Sequence, residues 1–167
     1  MQHSMTARCV CGSVELQAVG DAITSVVCYC DDCHEGARQI KALPNAGPVR
    51  DPDGGSAFVI YRKDRVTCSK GARLLRAYKI KDQSATNRLV ATCCNSAMLL
   101  NFDDRRHWVD LYRARLQGNI PPLQMRIATK FKAEKVEIPS DVPSYAAFPL
   151  RLFRMLIAAR FAMLLRR

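Results

Sequence analysis

Polar and apolar residues alternate along several short segments of this chain. The alternation is clearest at residues 13–19, and a β-rich run at 23–27 ends directly at Cys28. Such short alternating segments are typical of strands with one buried face. Further strands are predicted at residues 57–62, 65–68, 74–80, 88–92, 98–102 and 108–116. Because these segments follow one another at short, regular spacing, they predict a mainly antiparallel β domain.

The pattern changes after residue 140, where a helix is predicted. Pro143 and Pro149 precede residues 150–167, which contain good helix formers and no internal Gly or Pro. Arg154 and Arg160 interrupt the apolar residues, so this segment is too polar to span a membrane. The chain is therefore divided into a β domain at 1–140 and a basic C-terminal helix at 141–167.

Two interpretations of this helix remain open at the level of sequence. On a helical projection, Arg151, Arg154 and Arg166 lie on one side, while Arg160 and Arg167 fall nearly opposite. The poorly defined polar face favours packing on the domain or on a partner. The alternative is peripheral contact with an anionic membrane surface.

Composition narrows the function classes. The 167 residues are 49% hydrophobic, which argues against disorder, and they carry 26 Lys plus Arg against 15 Asp plus Glu. A net charge of +11 suits nucleic acid, an anionic membrane or small acidic substrates. No stripe of interleaved aromatics and arginines marks the β region, so a nucleic-acid partner is not expected. Residues 1–8 contain no apolar signal-peptide core, and a reducing, cytoplasmic location is expected.

Seven of the eight cysteines lie in three clusters, at Cys9 and Cys11, at Cys28, Cys30 and Cys33, and at Cys93 and Cys94. Clustered thiols in a reducing compartment favour metal binding over disulfides. Two cysteines separated by one residue converge only where the chain bends, and Gly12 permits such a bend. Soft thiolates held on turns select Zn²⁺ or an iron–sulfur cluster. The first two clusters flank two short strands, which suggests a metal site on a hairpin.

These motifs resemble the glutathione-dependent formaldehyde-activating enzyme (GFA) family, of which the chain looks like a divergent member. The resemblance rests on Cys9-x-Cys11-Gly12, on Cys28-x-Cys30-x-x-Cys33 and on the late cysteine pair, and it covers roughly residues 5–115. It implies a β-tent, in which small antiparallel sheets surround cysteine zinc sites. It also implies carbon–sulfur lyase chemistry on adducts of glutathione with formaldehyde.

The resemblance assigns one or two zinc ions to these cysteines. Cys9, Cys11 and Cys94 would hold a structural ion, while Cys28, Cys30 and Cys33 would hold a functional ion and form the catalytic site. The family's late C-x-x-C-G is altered here, because Ala91 stands at one ligand position and Asn95 replaces the glycine. Cys93 offers a replacement ligand, although adjacent residues rarely both reach one metal without a backbone distortion.

Three thiolates leave one position of a tetrahedral zinc open to a substrate thiol, such as glutathione or another small thiol. The carboxylates of such a tripeptide need cationic contacts, for which Arg38, Lys41 and Arg50 are near in sequence. The alternative is a non-enzymatic, zinc-stabilised module that binds a protein or membrane partner through its basic helix. A fourth cysteine at the central cluster would favour this alternative, because it would close the site.

Overall fold

The computed structural model describes residues 4–165 and confirms the predicted mainly β fold with a C-terminal helix. Helix α1 spans Asp31–Lys41 and helix α2 spans Leu150–Leu164. The strands in the described residues are β1 Ser4–Arg8, β2 Glu15–Val19, β3 Thr24–Cys28, β4 Ser56–Arg62, β5 Val66–Lys70, β6 Leu75–Tyr78, β7 Thr86–Ala91, β8 Ser96–Phe102, β9 Trp108–Tyr112, β10 Leu116–Gln117 and β11 Met125–Ile127.

The strands form two sheets. One is antiparallel with the order β10-β1-β2-β5, and the other has the order β11-β3-β4-β9-β8-β7-β6, in which only β11 and β3 run parallel. Strands β2 and β3 belong to different sheets, so the expectation of a hairpin between the first two cysteine clusters is wrong. The chain crosses between sheets through Gly20, whose φ of 80° suits glycine better than other residues. The crossing carries the two clusters to separate places.

Both faces of the larger sheet are buried. On β4, Val59 and Tyr61 pack against the smaller sheet, whereas Phe58 and Ile60 face the helices. Side chains alternate between the faces of a strand, so a strand buried on both sides shows a continuous apolar run. The sequence Phe-Val-Ile-Tyr at 58–61 has this pattern. The molecule is therefore layered, with the smaller sheet on one side and the helices on the other.

Helix α1 was not predicted from the sequence. It begins immediately after Cys30 and buries Ala37 and Ile40 in the core beneath it. Asp31 and Asp32 lie in its first turn, where carboxylates interact favourably with the helix dipole. The chain therefore turns from strand β3 into a helix within the central cysteine motif.

Helix α2 packs on the larger sheet through Leu152 and Leu156, which are both buried. The His107 ring also contacts this helix, with Nε2 2.7 Å from the Leu156 carbonyl oxygen, so Nε2 carries the proton and donates it. Burial lowers the pKa of His107, which favours the neutral ring. Neither described helix is long and apolar enough to cross a bilayer. Arg166 and Arg167 lie outside the described residues.

A buried arginine fixes the backbone at the central cysteine motif. Arg126 on β11 is 5% exposed, and its Nη1 donates to the Tyr29 hydroxyl at 2.6 Å and to Asp53 at 2.7 Å. Its Nε donates to Asp141 at 3.0 Å. Tyr29 stands between Cys28 and Cys30, so this network holds the chain between the two thiols and ties the segment around Asp141 to the sheet.

We expect Arg126→Met to destabilise the fold by about 3 kcal/mol, because it leaves the poorly exposed Asp53 carboxylate without its counter-charge. Urea unfolding followed by circular dichroism measures this change. Arg105→Met is the matched control, because Arg105 is exposed. Equal unfolding midpoints for the two variants would show that the network contributes little.

Candidate metal centres and the adjoining cavity

Four thiols meet at the junction of the two sheets. Cys9 and Cys11 follow strand β1, while Cys93 and Cys94 lie in the turn between β7 and β8. The Cys9 sulfur lies 3.6 Å from that of Cys11 and 3.8 Å from that of Cys93, and the Cys11 and Cys93 sulfurs are 3.3 Å apart. All four sulfurs lie within 4.8 Å of one another. The cluster thus joins residues that are more than eighty positions apart in sequence.

A left-handed residue allows both neighbouring cysteines to reach this cluster. Asn95 has a φ of 51°, a conformation that Asn tolerates better than most side chains. The Cys94 N–H donates to the Ala91 carbonyl at 3.3 Å, which closes the turn. The backbone distortion that adjacent ligands require is therefore present. Ala91 itself is buried in β7 and offers no ligand atom.

The sulfur separations fit a tetrahedral metal ion. Zn–S bonds of about 2.3 Å place two ligand sulfurs about 3.8 Å apart. The pairs Cys9–Cys11, Cys9–Cys93, Cys11–Cys93 and Cys93–Cys94 are 3.3–3.9 Å apart, and the remaining pairs lie within 4.8 Å. Hydrogen bonding to Ser13 lowers the pKa of Cys11 to about 6, which favours the thiolate form that binds metal. Four cysteines that can all approach one ion are typical of a structural zinc site.

The second group consists of Cys28, Cys30 and Cys33. Their sulfurs also lie within 4.8 Å of one another, and no fourth His, Cys, Asp or Glu joins them among residues 4–165. Cys28 ends strand β3, Cys30 precedes helix α1, and Cys33 lies in its first turn. The sharp turn from strand to helix therefore brings the three thiols together.

The three thiols of this group form hydrogen bonds with one another, and these shift their pKa values. Hydrogen bonds with Cys28 and Cys33 lower the pKa of Cys30, and the hydrogen bond with Cys30 raises the pKa of Cys28 to about 12. Hydrogen bonds with Cys28 and Cys30 likewise raise the pKa of Cys33. The raised pKa values of Cys28 and Cys33 favour the protonated forms of these two thiols. A cation that binds here therefore displaces protons.

A cavity of about 440 Å³ opens beside these three thiols. Its floor is the helix-facing side of the larger sheet, and α2 covers it through Leu152 and Leu156. The thiols stand at one end, and the exposed Phe148 and Phe153 stand at the rim. This size is within the range of small-molecule sites.

The sheet register brings two polar side chains to the cavity floor. Arg88 on β7 is paired with Leu100 on β8, and Leu100 is paired with Asp110 on β9, so all three side chains share one face. Arg88 Nη2 donates to the Asp32 carbonyl at the start of α1, whereas Arg88 Nη1 and Asp110 Oδ1 are buried without a hydrogen-bond partner in the described residues. Gly36 makes room for this arginine, because a Cβ there would overlap the guanidinium.

Burial raises the pKa of Asp110 to about 7, and the nearby charge of Arg106 opposes this shift. Asp110 is thus a carboxyl group that is partly protonated at neutral pH and mostly protonated below it. Unsatisfied buried polar atoms cost stability, and in a cavity they mark the places where a ligand can complete the hydrogen bonds.

The suggested cationic contacts Arg38, Lys41 and Arg50 do not line this cavity. They surround a separate depression of about 380 Å³ beside α1, and Arg38 is paired with Glu35 at 2.7 Å. Sequence proximity to the cysteines was misleading, because Arg38 and Lys41 on α1 and Arg50 in the following loop line this other depression. Arg88 and Arg106 line the cavity instead. Cys68 lies on β5 and belongs to neither thiol group.

Residues 4–43 match the profile of the family described as glutathione-dependent formaldehyde-activating enzyme. The match includes Cys9, Cys11 and the whole central cysteine motif. This match supports membership of the GFA family and covers about a quarter of the chain. The match ends before Cys93 and Cys94.

Other comparisons add little to this assignment. A crystal structure of a Rhodobacter sphaeroides protein, a structural genomics target, aligns with 83% of this chain and 98% of its own chain. The two are 14% identical, with a TM-score of 0.48. No curated protein matches the chain.

We expect the purified protein to hold two zinc ions, one for each thiol group. Cys93→Ser should lower the zinc content to one ion and destabilise the fold by several kcal/mol, since structural zinc contributes on the order of 10 kcal/mol. Elemental analysis and thermal unfolding measure both effects. Cys68→Ser is the matched control and should keep both ions. A Cys93→Ser protein with full zinc content would remove Cys93 from the ligand set.

Proposed function

We propose that this GFA-like protein makes or cleaves carbon–sulfur bonds in thiol–aldehyde adducts at Cys28, Cys30 and Cys33. Zinc held by these three thiolates would bind a substrate thiol and favour its thiolate form, which is a nucleophile toward an aldehyde carbonyl. The observation that supports this function is a set of three thiols that opens onto a cavity. A second ion at Cys9, Cys11, Cys93 and Cys94 would have a structural role.

The cavity offers two polar groups suited to the oxygen of an aldehyde carbonyl. Arg88 Nη1 has an N–H group without an acceptor among residues 4–165, so it can donate to the aldehyde oxygen as negative charge develops there. Asp110 with its raised pKa can supply a proton to the same oxygen. Addition forms the C–S bond and breaks the carbonyl π bond. The thiol proton leaves for solvent, the oxygen takes the proton of Asp110, and solvent reprotonates Asp110. Lysis is the reverse.

The open position distinguishes this function from a purely structural zinc module. A closed central site would need a fourth sulfur from Cys68, Cys93 or Cys94. Cys93 and Cys94 lie with Cys9 and Cys11, and Cys68 lies in neither group. The geometry therefore favours a site that admits a thiol, and it leaves the basic helix free for a separate role.

We expect the zinc-loaded protein to accelerate the exchange between glutathione, formaldehyde and their S-hydroxymethyl adduct, as measured by exchange spectroscopy in nuclear magnetic resonance. Cys30→Ser should abolish the acceleration, and Asp110→Asn should lower it by about a hundredfold, because it removes the proton donor. Cys68→Ser should leave it unchanged. No acceleration by protein with confirmed zinc would reject this activity.

The pH profile tests the role of Asp110 separately. The rate of addition should fall as pH rises above about 7, because Asp110 then loses the proton that it donates. The other ionisable groups that line the cavity are Arg88, Arg106, Asp32 and the three thiols. Asp110→Asn should remove this limb of the profile. If the rate of the variant still falls above about pH 7, a group other than Asp110 is responsible for the decrease.

A further inference from the structure

The cavity beside the three thiols is larger and less polar than formaldehyde requires. Formaldehyde has a single carbon atom, whereas the cavity encloses about 440 Å³. Its floor, roof and rim are mostly apolar side chains. The apolar lining residues include Phe58, Leu100, Phe148, Leu152, Phe153 and Leu156.

We propose that the substrate of this site carries an aliphatic or aromatic group that fills the cavity. This inference rests on the proposed thiol–aldehyde chemistry and names the class of compound on which it acts. Hydrophobic surface that stays wet in the free protein would be covered by such a group, and each buried methylene would strengthen binding about fourfold. A peptide-like substituent would instead lose hydration along a wall that offers few polar partners.

The polar groups of the cavity are consistent with this substrate class. Arg88 Nη2 is bonded to the first turn of α1, so the guanidinium is near the end of the cavity where Cys30 and Cys33 lie. Arg88 and Asp110 lie two strands apart on the floor, at a Cα separation of about 10 Å. The reacting carbonyl would lie among these polar groups and the thiols, while the hydrophobic substituent would extend beneath α2 toward Phe148 and Phe153.

Isothermal titration calorimetry with the zinc-loaded protein tests this inference without relying on turnover. The probes are ethanethiol, 1-butanethiol, 1-hexanethiol and glutathione. We expect affinity to rise about fourfold per methylene along the alkanethiols, and 1-hexanethiol to bind more tightly than glutathione. Phe153→Ala should weaken the binding of 1-hexanethiol roughly fivefold, because it removes part of the rim. Ile157→Ala is the matched control, since Ile157 is exposed on the same helix and does not line the cavity.

The possible outcomes test the hydrophobic substrate class separately from the thiol chemistry on which it rests. If glutathione binds as tightly as 1-hexanethiol and chain length has no effect, the hydrophobic substrate class is wrong, while thiol chemistry at the site stands. If no thiol binds to protein with confirmed zinc, the open thiol site is wrong as well. Tight binding of 1-hexanethiol supports the substrate class even if exchange of the formaldehyde adduct proves slow.

A separate observation concerns the outer face of α2. Five large apolar side chains are exposed there, at fractions between 48% and 75%: Leu150, Phe153, Ile157, Phe161 and Leu164. At about 100° per residue they fall within an arc of about 80°, whose centre is about 120° around the helix from the buried Leu152 and Leu156. The exposed Arg160 lies at one edge of this stripe, and the exposed Arg154 lies at the other.

We infer that this stripe docks on an anionic bilayer surface. Apolar side chains bordered by arginines match a membrane interface, and no acidic residue follows Asp141 in the sequence. A second copy of the chain would bring two cationic helices together, which electrostatic repulsion opposes. A protein groove that encloses a helix also fits poorly, because the inner face of α2 already packs on the sheet. A broad, negatively charged surface needs only the exposed face.

Co-sedimentation of the full chain with vesicles tests this docking. We expect binding to mixed phosphatidylglycerol and phosphatidylcholine vesicles, weak binding to pure phosphatidylcholine, and a decrease with added salt. Ile157→Glu and Phe161→Glu should abolish binding, and Arg154→Gln should weaken it about fivefold. Val10→Glu, at an exposed apolar residue remote from α2 in sequence, is the matched control and should bind as the unaltered protein does.

Binding that survives Ile157→Glu and Phe161→Glu would overturn the docking of this stripe, as would a failure to bind anionic vesicles. Light scattering on the same samples identifies one competing occupant. Concentration-dependent dimers that these variants abolish, without vesicle binding, would instead show that the stripe joins two copies of the chain.

Discussion

The structure depends on sulfur atoms that meet from distant parts of the chain. Cys9 and Cys11 follow a strand of the smaller sheet, and Cys93 and Cys94 lie in a turn of the larger sheet, so their cluster joins the two sheets at one point. A structural zinc ion contributes on the order of 10 kcal/mol, which is comparable with the whole net stability of a domain. The same joint fixes one end of β7 and β8, the strands that carry Arg88 and Leu100 to the cavity floor.

The two thiol groups differ in ways that follow from local backbone geometry. The turn after β7 includes a left-handed Asn95 and brings two adjacent cysteines to one cluster, so that cluster has four sulfurs. The central motif turns from a strand into a helix and supplies three. Tyr29, held by Arg126 and Asp53, fixes the chain between the first two of these cysteines. A cluster of four sulfurs is suited to a structural metal ion. A cluster of three sulfurs beside a cavity is suited to a metal ion that also binds a substrate.

The sequence predicted the strands well, because alternation and β-rich runs reflect local burial. Helix α1 escaped prediction, since it begins inside a motif that was interpreted through its cysteines alone. The prediction of a hairpin between the first two cysteine clusters was wrong, because no local pattern near Gly20 indicates that the chain passes from one sheet to the other there. Arg88 and Asp110 could not be found, because only the register across β7, β8 and β9 places them on one face. Sequence proximity favoured Arg38, Lys41 and Arg50, which the fold directs to another surface.

The coordination of zinc in the purified protein tests the central claim most directly, and X-ray absorption at the zinc K edge measures it. Two environments are expected: one with four sulfur neighbours, and one with three sulfurs and a lighter atom that an added thiol replaces with a fourth sulfur. Cysteines bridged to one another, or a spectrum with nitrogen and oxygen neighbours alone, would contradict it.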